Sequence, residues 1–124
     1  MISNIQINFS NQTFLHLFPY TLSTDQPHLV LCDLIEHSDK PMLIQITHHH
    51  INTFLDLSLV FDVVLLYFDE NNEFIGASYS LDSGIGGTFV LLTQARSILL
   101  LPFSFDINLP RVKNLEISFP KNSN

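Results

Sequence analysis

Residues 57–80 read "LSLVFDVVLLYFDENNEFIGASYS", and whether this stretch forms strands or helix decides the fold. Residues 59–68 are an almost unbroken run of β-branched, leucine and aromatic residues in which Asp62 is the single charge. A strand covered on both faces has this composition, whereas a half-exposed strand alternates and an amphipathic helix repeats about every three to four residues. "DENN" at 69–72 interrupts the run with side chains that bond to nearby backbone and tolerate left-handed conformation. "EFIGASYS" at 73–80 then resumes an extended pattern. A β-hairpin is expected across this stretch.

Outward from the hairpin the same chemistry recurs. "ISNIQINF" (2–9) and "QTFLHLF" (12–18) are rich in strand formers on either side of a polar break and read as two strands of a second hairpin. "MLIQITHH" (42–49), "RSILLLPF" (96–103) and "LEISF" (115–119) add three further strands, and Thr88 leads into "FVLL", a fourth. One segment differs. In "STDQPHLVLCDLIEH" (23–37), Ser23 or Thr24 can cap a helix carrying Pro27 in its first turn, with Leu31, Leu34 and Ile35 at helical spacing. The expected fold class is therefore α+β, mostly β: a small barrel-like or two-layer antiparallel sheet domain with one short helix near residues 25–37. Apolar runs recur without a linker or an internal repeat, so residues 1–119 read as a single domain and "PKNSN" (120–124) as a polar tail.

Composition narrows the function classes. Charged residues make up 14% of the 124 residues, against about 25% in an ordinary domain. A net charge of −7 with five scattered bases (Lys40, Arg96, Arg111, Lys113, Lys121) is the opposite of the basic face that holds phosphates, so nucleic acid is excluded as a partner. No run approaches the roughly 20 apolar residues of a membrane span. "MISNIQINFSNQ" lacks the basic-then-apolar order of a secretory signal, and a cytoplasmic location is expected. Cys32 stands alone inside "LVLCDLI", where apolar neighbours blunt a thiol, so neither a disulfide nor a nucleophile is expected there.

Three places hold chemistry to weigh. The histidines of "THHHINTF" (47–54) come first: on a strand His48 and His50 share a face and, with Asp56 or His37 nearby, offer the nitrogen and oxygen donors of a metal or small-ligand site. The alternative is a polar strand end with half-exposed imidazoles, because the spacing matches no metal motif. "SGIGGT" (83–88) has glycines but lacks the lysine of a phosphate-binding loop, and a loop between strands accounts for it. Asp62 inside an apolar run is a costly charge to bury without a partner; Asp69 and Glu70 are explained by their turn. No motif calls for a cofactor, and no catalytic residue is assigned.

The order of these pieces resembles the bacterial and archaeal domain-of-unknown-function 192 family, the uncharacterised ACR group. That family shows a Gly-Met-Leu-Phe strand, a Phe-Trp-Met-Lys-Asn segment, then Pro-Leu-Asp and an apolar strand ending in an Asp-Glu turn. Here the matching pieces stand as "PMLI" (41–44), "FLDLS" (54–58), "DVV" (62–64) and "LLYFDE" (65–70), followed by "NNEFIGA", "ARSILLLPFSF" and "VKNLEISF". The resemblance spans roughly residues 28–119 and implies a small β-rich domain with one helix and no assigned reaction. Leu55, Asp56, Leu57 and Ser58 replace the family's Trp-Met-Lys-Asn, and Asp62 and Val64 replace its Pro and Asp, so no functional residue carries over. "FDVVLLYFDENNEF" is also similar, more weakly, to the calcium-binding β-sandwich domains of the tellurium-resistance group, without their second acid.

These observations lead to an expectation of a non-catalytic β-rich domain that binds a protein partner or itself, most simply as a homodimer. Few charges and many Phe and Leu leave apolar surface that association would cover. The alternative is a small-ligand or metal-binding domain using His48, His50 and Asp56.

Overall fold

The computed structural model describes residues 4–24, 28–30, 41–46, 54–56, 63–80, 88–90, 95–102 and 105–118, with the backbone alone at 22–24, 28–30, 54–56, 79–80 and 88–90. Eleven strands run in chain order among these residues: β1 (Asn4–Phe9), β2 (Phe14–Leu17), β3 (Tyr20–Thr24), β4 (His28–Val30), β5 (Met42–Ile46), β6 (Phe54–Asp56), β7 (Val63–Phe68), β8 (Phe74–Ser80), β9 (Thr88–Val90), β10 (Ser97–Pro102) and β11 (Val112–Ser118). The fold is mostly β, and its helical content among the described residues is one 3-10 turn, Leu109–Arg111. No helix there is long and apolar enough to cross a membrane.

From Val63 onward the decisive stretch forms the hairpin that its composition predicts. β7 and β8 pair antiparallel from Val63↔Ser80 to Phe68↔Phe74, with a bulge that leaves Ile75 unmatched. Between them Asp69 N–H donates to Glu73 O (3.0 Å) and Asn72 N–H to Asp69 O (3.0 Å). The Asp69 carboxylate locks this turn by accepting the N–H groups of Asn71 and Glu73, each at 2.9 Å. Asn72 sits at φ 60°, a left-handed position that asparagine takes more readily than most residues. The β1–β2 turn repeats the design: Phe9 N–H donates to Thr13 O, Gln12 N–H donates to Phe9 O, and Gln12 holds φ 69°. Both are three-residue connections with a left-handed residue closing the loop.

Two sheets pack face to face. A five-stranded sheet has the order β3-β5-β10-β7-β8, and a three-stranded sheet the order β11-β1-β2. A third, small sheet has the order β4-β6-β9. Ile5, Ile7, Leu17, Val112 and Leu115 of the three-stranded sheet form one apolar cluster with Leu43, Val64, Leu66, Phe68, Leu99 and Leu101 of the larger one. The opposite face of the larger sheet is buried as well, in a second cluster of Met42, Ile44, Ile46, Val63, Leu65, Tyr67, Ile98 and Leu100. This explains the sequence of β7, every residue of which is buried: neither face meets water, so no alternation is required. The outer face of β1-β2-β11 is polar by contrast. A chain of side-chain hydrogen bonds crosses it from His16 Nε2 to Gln6 Oε1, from Gln6 Nε2 to Asn8 Oδ1 and from Asn8 Nδ2 to Asn114 Oδ1, each 2.7 Å long.

The two sheets meet at both sides without closing into a barrel. On one side the chain passes from β2 in the small layer to β3 in the large one through Phe18 and Pro19. On the other, the β7–β8 turn docks on β11, where Leu115 N–H donates to Asn72 O (2.8 Å) and Glu73 bridges Asn114.

Two expectations are corrected. The proposed caps Ser23 and Thr24 are the last residues of β3, paired in parallel with Gln45 and Ile46, and His28–Val30 of the expected helix is a strand paired in parallel with Phe54–Asp56. The rest of residues 25–37 lies outside the described residues. Hydroxyl side chains suit a strand as well as a helix cap, and a five-residue ladder to β5 outweighs one capping bond. The larger sheet is also mixed rather than wholly antiparallel, because β3 runs alongside β5.

Candidate functional site

His48 and His50 lie outside the described residues, as do His37, Asp62 and Cys32. Asp56 ends β6, paired with Thr88 of β9 and Val30 of β4, and only its backbone is described. Among the described residues no group of three His, Cys, Asp or Glu side chains is placed to hold a metal. The side chains of the three candidate ligands thus all lie outside the described residues. Two other features stand out instead.

The first is the seam where β2 passes into β3. Phe18 is 67% exposed, Phe14 60% and Tyr20 37%, the large apolar side chains that the core leaves out among the described residues. The Phe14 ring leans against the His16 imidazole, their centroids 5.2 Å apart. Among the described strands β2 pairs only with β1 and presents a sheet edge at this seam, with the first residues of β3 beside it. Pro19 between them is buried, which turns its neighbour Phe18 outward. Residues 1–24 contain no Asp, Glu, Lys or Arg, although the chain as a whole carries −7. An exposed edge usually carries lysine or another charge that discourages pairing, and this one carries none.

The second is a cleft of about 400 Å³ at the end of the five-stranded sheet, lined by Gln45, Ile46, Asp69, Glu70, Asn72, Arg96 and Ser97. Its walls are three successive strand ends. Arg96 N–H donates to Phe68 O (2.8 Å) and Arg96 O accepts from Ile46 N–H (2.8 Å), so the residue is pinned between β5 and β7 through its backbone while its side chain remains available. Ser97 pairs with Phe68, and because the Arg96 N–H also reaches Phe68 O the register slips there, so Arg96 and Ser97 both stand against Phe68, the residue before Asp69. Asp69 is held in its turn by the Asn71 and Glu73 N–H groups. Neither Asp69 nor Glu70 forms an ion pair with Arg96. One cation and two carboxylates thus border a single polar recess without neutralising one another.

Tyr67 of β7 is buried, and its ionisation is shifted. Burial pushes its phenol above the ordinary value of 10.0, partly offset by its hydrogen bond to Ser78 Oγ (3.1 Å).

Neither feature is marked by a motif in the sequence. Asp69 and Glu70 read there as turn residues only, and Arg96 as an isolated base, because residues 45, 69 and 96 meet only once β5, β7 and β10 are aligned. The signal available for the seam is the absence of charge over the first 24 residues of an acidic chain.

Compared with protein-family models, with curated proteins and with solved structures, the chain matches none of them.

Proposed function

We propose that this is a non-catalytic β-rich binding domain that associates with a second copy of itself, most simply as a two-fold dimer across the β2–β3 seam. The observation that carries the reading is the exposure of Phe14, Phe18 and Tyr20 beside the uncharged edge strand β2. Two chains of net charge −7 repel each other over most of their surface, and an edge strand without carboxylates is where they can approach. A two-fold axis beside β2 would place one β2 against the other, and the open ladder of each would supply backbone donors and acceptors to its mate. Scaling typical aromatic areas by these exposures, the three rings present roughly 300 Å² per copy, which lies in the range of functional patches on small proteins. Two copies would bury roughly 600 Å² from the rings alone, about half of the 1,200 Å² at the lower end of stable interfaces. The remainder would come from neighbouring β2 and β3 surface, so an affinity on the order of micromolar is expected rather than nanomolar. The similarity to the domain-of-unknown-function 192 family sits alongside this proposal as a suggested relationship and adds no reaction to it.

Sedimentation equilibrium over a concentration series tests the proposal. The wild type should pass from monomer to dimer in the micromolar range. Phe18→Asp, which sets two carboxylates against each other at the seam, should stay monomeric with an unchanged circular dichroism spectrum. A wild type that is monomeric at about 1 mM, or a dimer indifferent to both Phe18→Asp and Phe14→Ser, would refute it.

A further inference from the structure

We infer that the cleft between the ends of β5, β7 and β10 is a binding site for a small zwitterion of the α-amino-acid type, with Arg96 taking the carboxylate and Asp69 and Glu70 the ammonium group. The inference is independent of self-association, because the cleft lies on the β7–β8 turn and the seam lies on β2–β3.

Charge placement carries the argument. A guanidinium and a carboxylate on neighbouring strands ordinarily pair, yet here Arg96 and the acids line the same recess without doing so. The turn explains why: Oδ1 of Asp69 accepts two backbone N–H groups, which fixes the carboxylate over its own loop and leaves Oδ2 for another donor. Arg96 is fixed by its backbone to Phe68 and Ile46, so its guanidinium starts from a defined point on the cleft wall. A planar guanidinium receives a carboxylate through two parallel hydrogen bonds, which favours a carboxylate over a monodentate anion.

Size and polarity select the class of ligand. A recess of about 400 Å³ falls in the small-molecule range but is bordered mainly by polar groups, which suits a hydrophilic molecule better than an apolar one. Arg96 bonds to Phe68 O, so its backbone stands one strand spacing, roughly 5 Å, from the residue that precedes Asp69. Opposite charges that close match the adjacent carboxylate and ammonium on a single α-carbon, and not the distant ends of a long dicarboxylate or diamine. Gln45, Asn72 and Ser97 are the remaining polar side chains of the lining, available to a polar substituent.

The test is a titration of the folded chain with free L-α-amino acids one at a time, followed by amide chemical shifts in two-dimensional NMR. At least one amino acid should give saturable shifts at residues 45–46, 69–72 and 96–97. Its carboxamide, which lacks the carboxylate, and its N-acetyl derivative, which lacks the ammonium, should each bind at least tenfold more weakly. Arg96→Gln should abolish binding and Glu70→Gln should weaken it severalfold. Because Arg96 is held through its main chain, both variants should keep the wild-type spectrum elsewhere, and Arg96→Lys should bind more weakly than wild type but better than Arg96→Gln. Absence of any saturable shift at millimolar concentrations, equal binding of the singly charged derivatives, or unaltered binding by Arg96→Gln would each overturn the inference.

Discussion

Leu65 and Leu66 are consecutive in β7, both 0% exposed, and they face opposite sides of the five-stranded sheet. Leu66 packs with Ile5, Ile7 and Leu17 of the facing sheet, and Leu65 with Met42, Ile44 and Leu100 on the other side. Truncating either to alanine removes three carbons, about 2.4 kcal/mol of transfer free energy, and leaves a cavity that raises the total to about 3 kcal/mol. Against a total stability of about 5–15 kcal/mol each single variant should stay folded. With a urea dependence of about 2 kcal/mol per molar, each midpoint should fall by about 1.5 M. The two side chains share no packing partner, so in a parent more stable than about 6 kcal/mol the double variant should lose about 6 kcal/mol, close to the sum of the two. Equilibrium urea unfolding followed by circular dichroism measures all three. A sheet with one wet face would make Leu65→Ala nearly silent; a loss below about 1 kcal/mol there would show that the second cluster is not a packed core, and the explanation given for the sequence of β7 would fail.

Other perturbations reach different parts of the structure. Gln12 holds φ 69°, where a side chain is disfavoured and glycine is not, so Gln12→Gly should stabilise the protein by about 0.5–1 kcal/mol in thermal unfolding. Asp69→Ala removes the acceptor for two turn N–H groups and should cost about 1–2 kcal/mol, whereas Asp69→Asn keeps Oδ1 and should cost less. Tyr67 is more weakly acidic folded than unfolded, so its contribution to stability is complete below pH 10 and declines as the pH rises from there through the folded value. Tyr67→Phe should accordingly flatten the alkaline limb of a stability–pH curve, and a limb of unchanged slope would assign it to another group.

Much of this fold is legible in the amino acids because local and long-range preferences agree. The β7–β8 hairpin is written twice, once in the apolar run and once in Asp69–Asn72, whose side chains favour the very turn they make. The β1–β2 hairpin is likewise visible as two apolar runs around Ser10–Gln12. What escapes sequence reading depends on partners far along the chain. Ser23 and Thr24 look like helix caps in isolation and become strand only because Met42–Ile46 lies beside them. His28–Val30 is extended against Phe54–Asp56, a pairing that no local pattern announces. The cleft is hidden for the same reason, since its charged groups come from separate strands, and the aromatic seam is hidden because an outward phenylalanine is indistinguishable from a core one until the facing sheet is in place.

β1 is the middle strand of its sheet, yet one of its two neighbours is β11: Asn4 lies opposite Ser118, 114 positions later. During synthesis at about 5–20 residues per second, β1 therefore waits on the order of 5–20 s beside the ribosome with only β2 for company. The small layer cannot be completed until residue 118 has been made, which places this fold among slow folders of high contact order. Through that interval the half-built layer is a template that a neighbouring nascent chain could occupy, so the yield of soluble protein should depend on translation speed and on chaperone supply more steeply than its final stability would suggest.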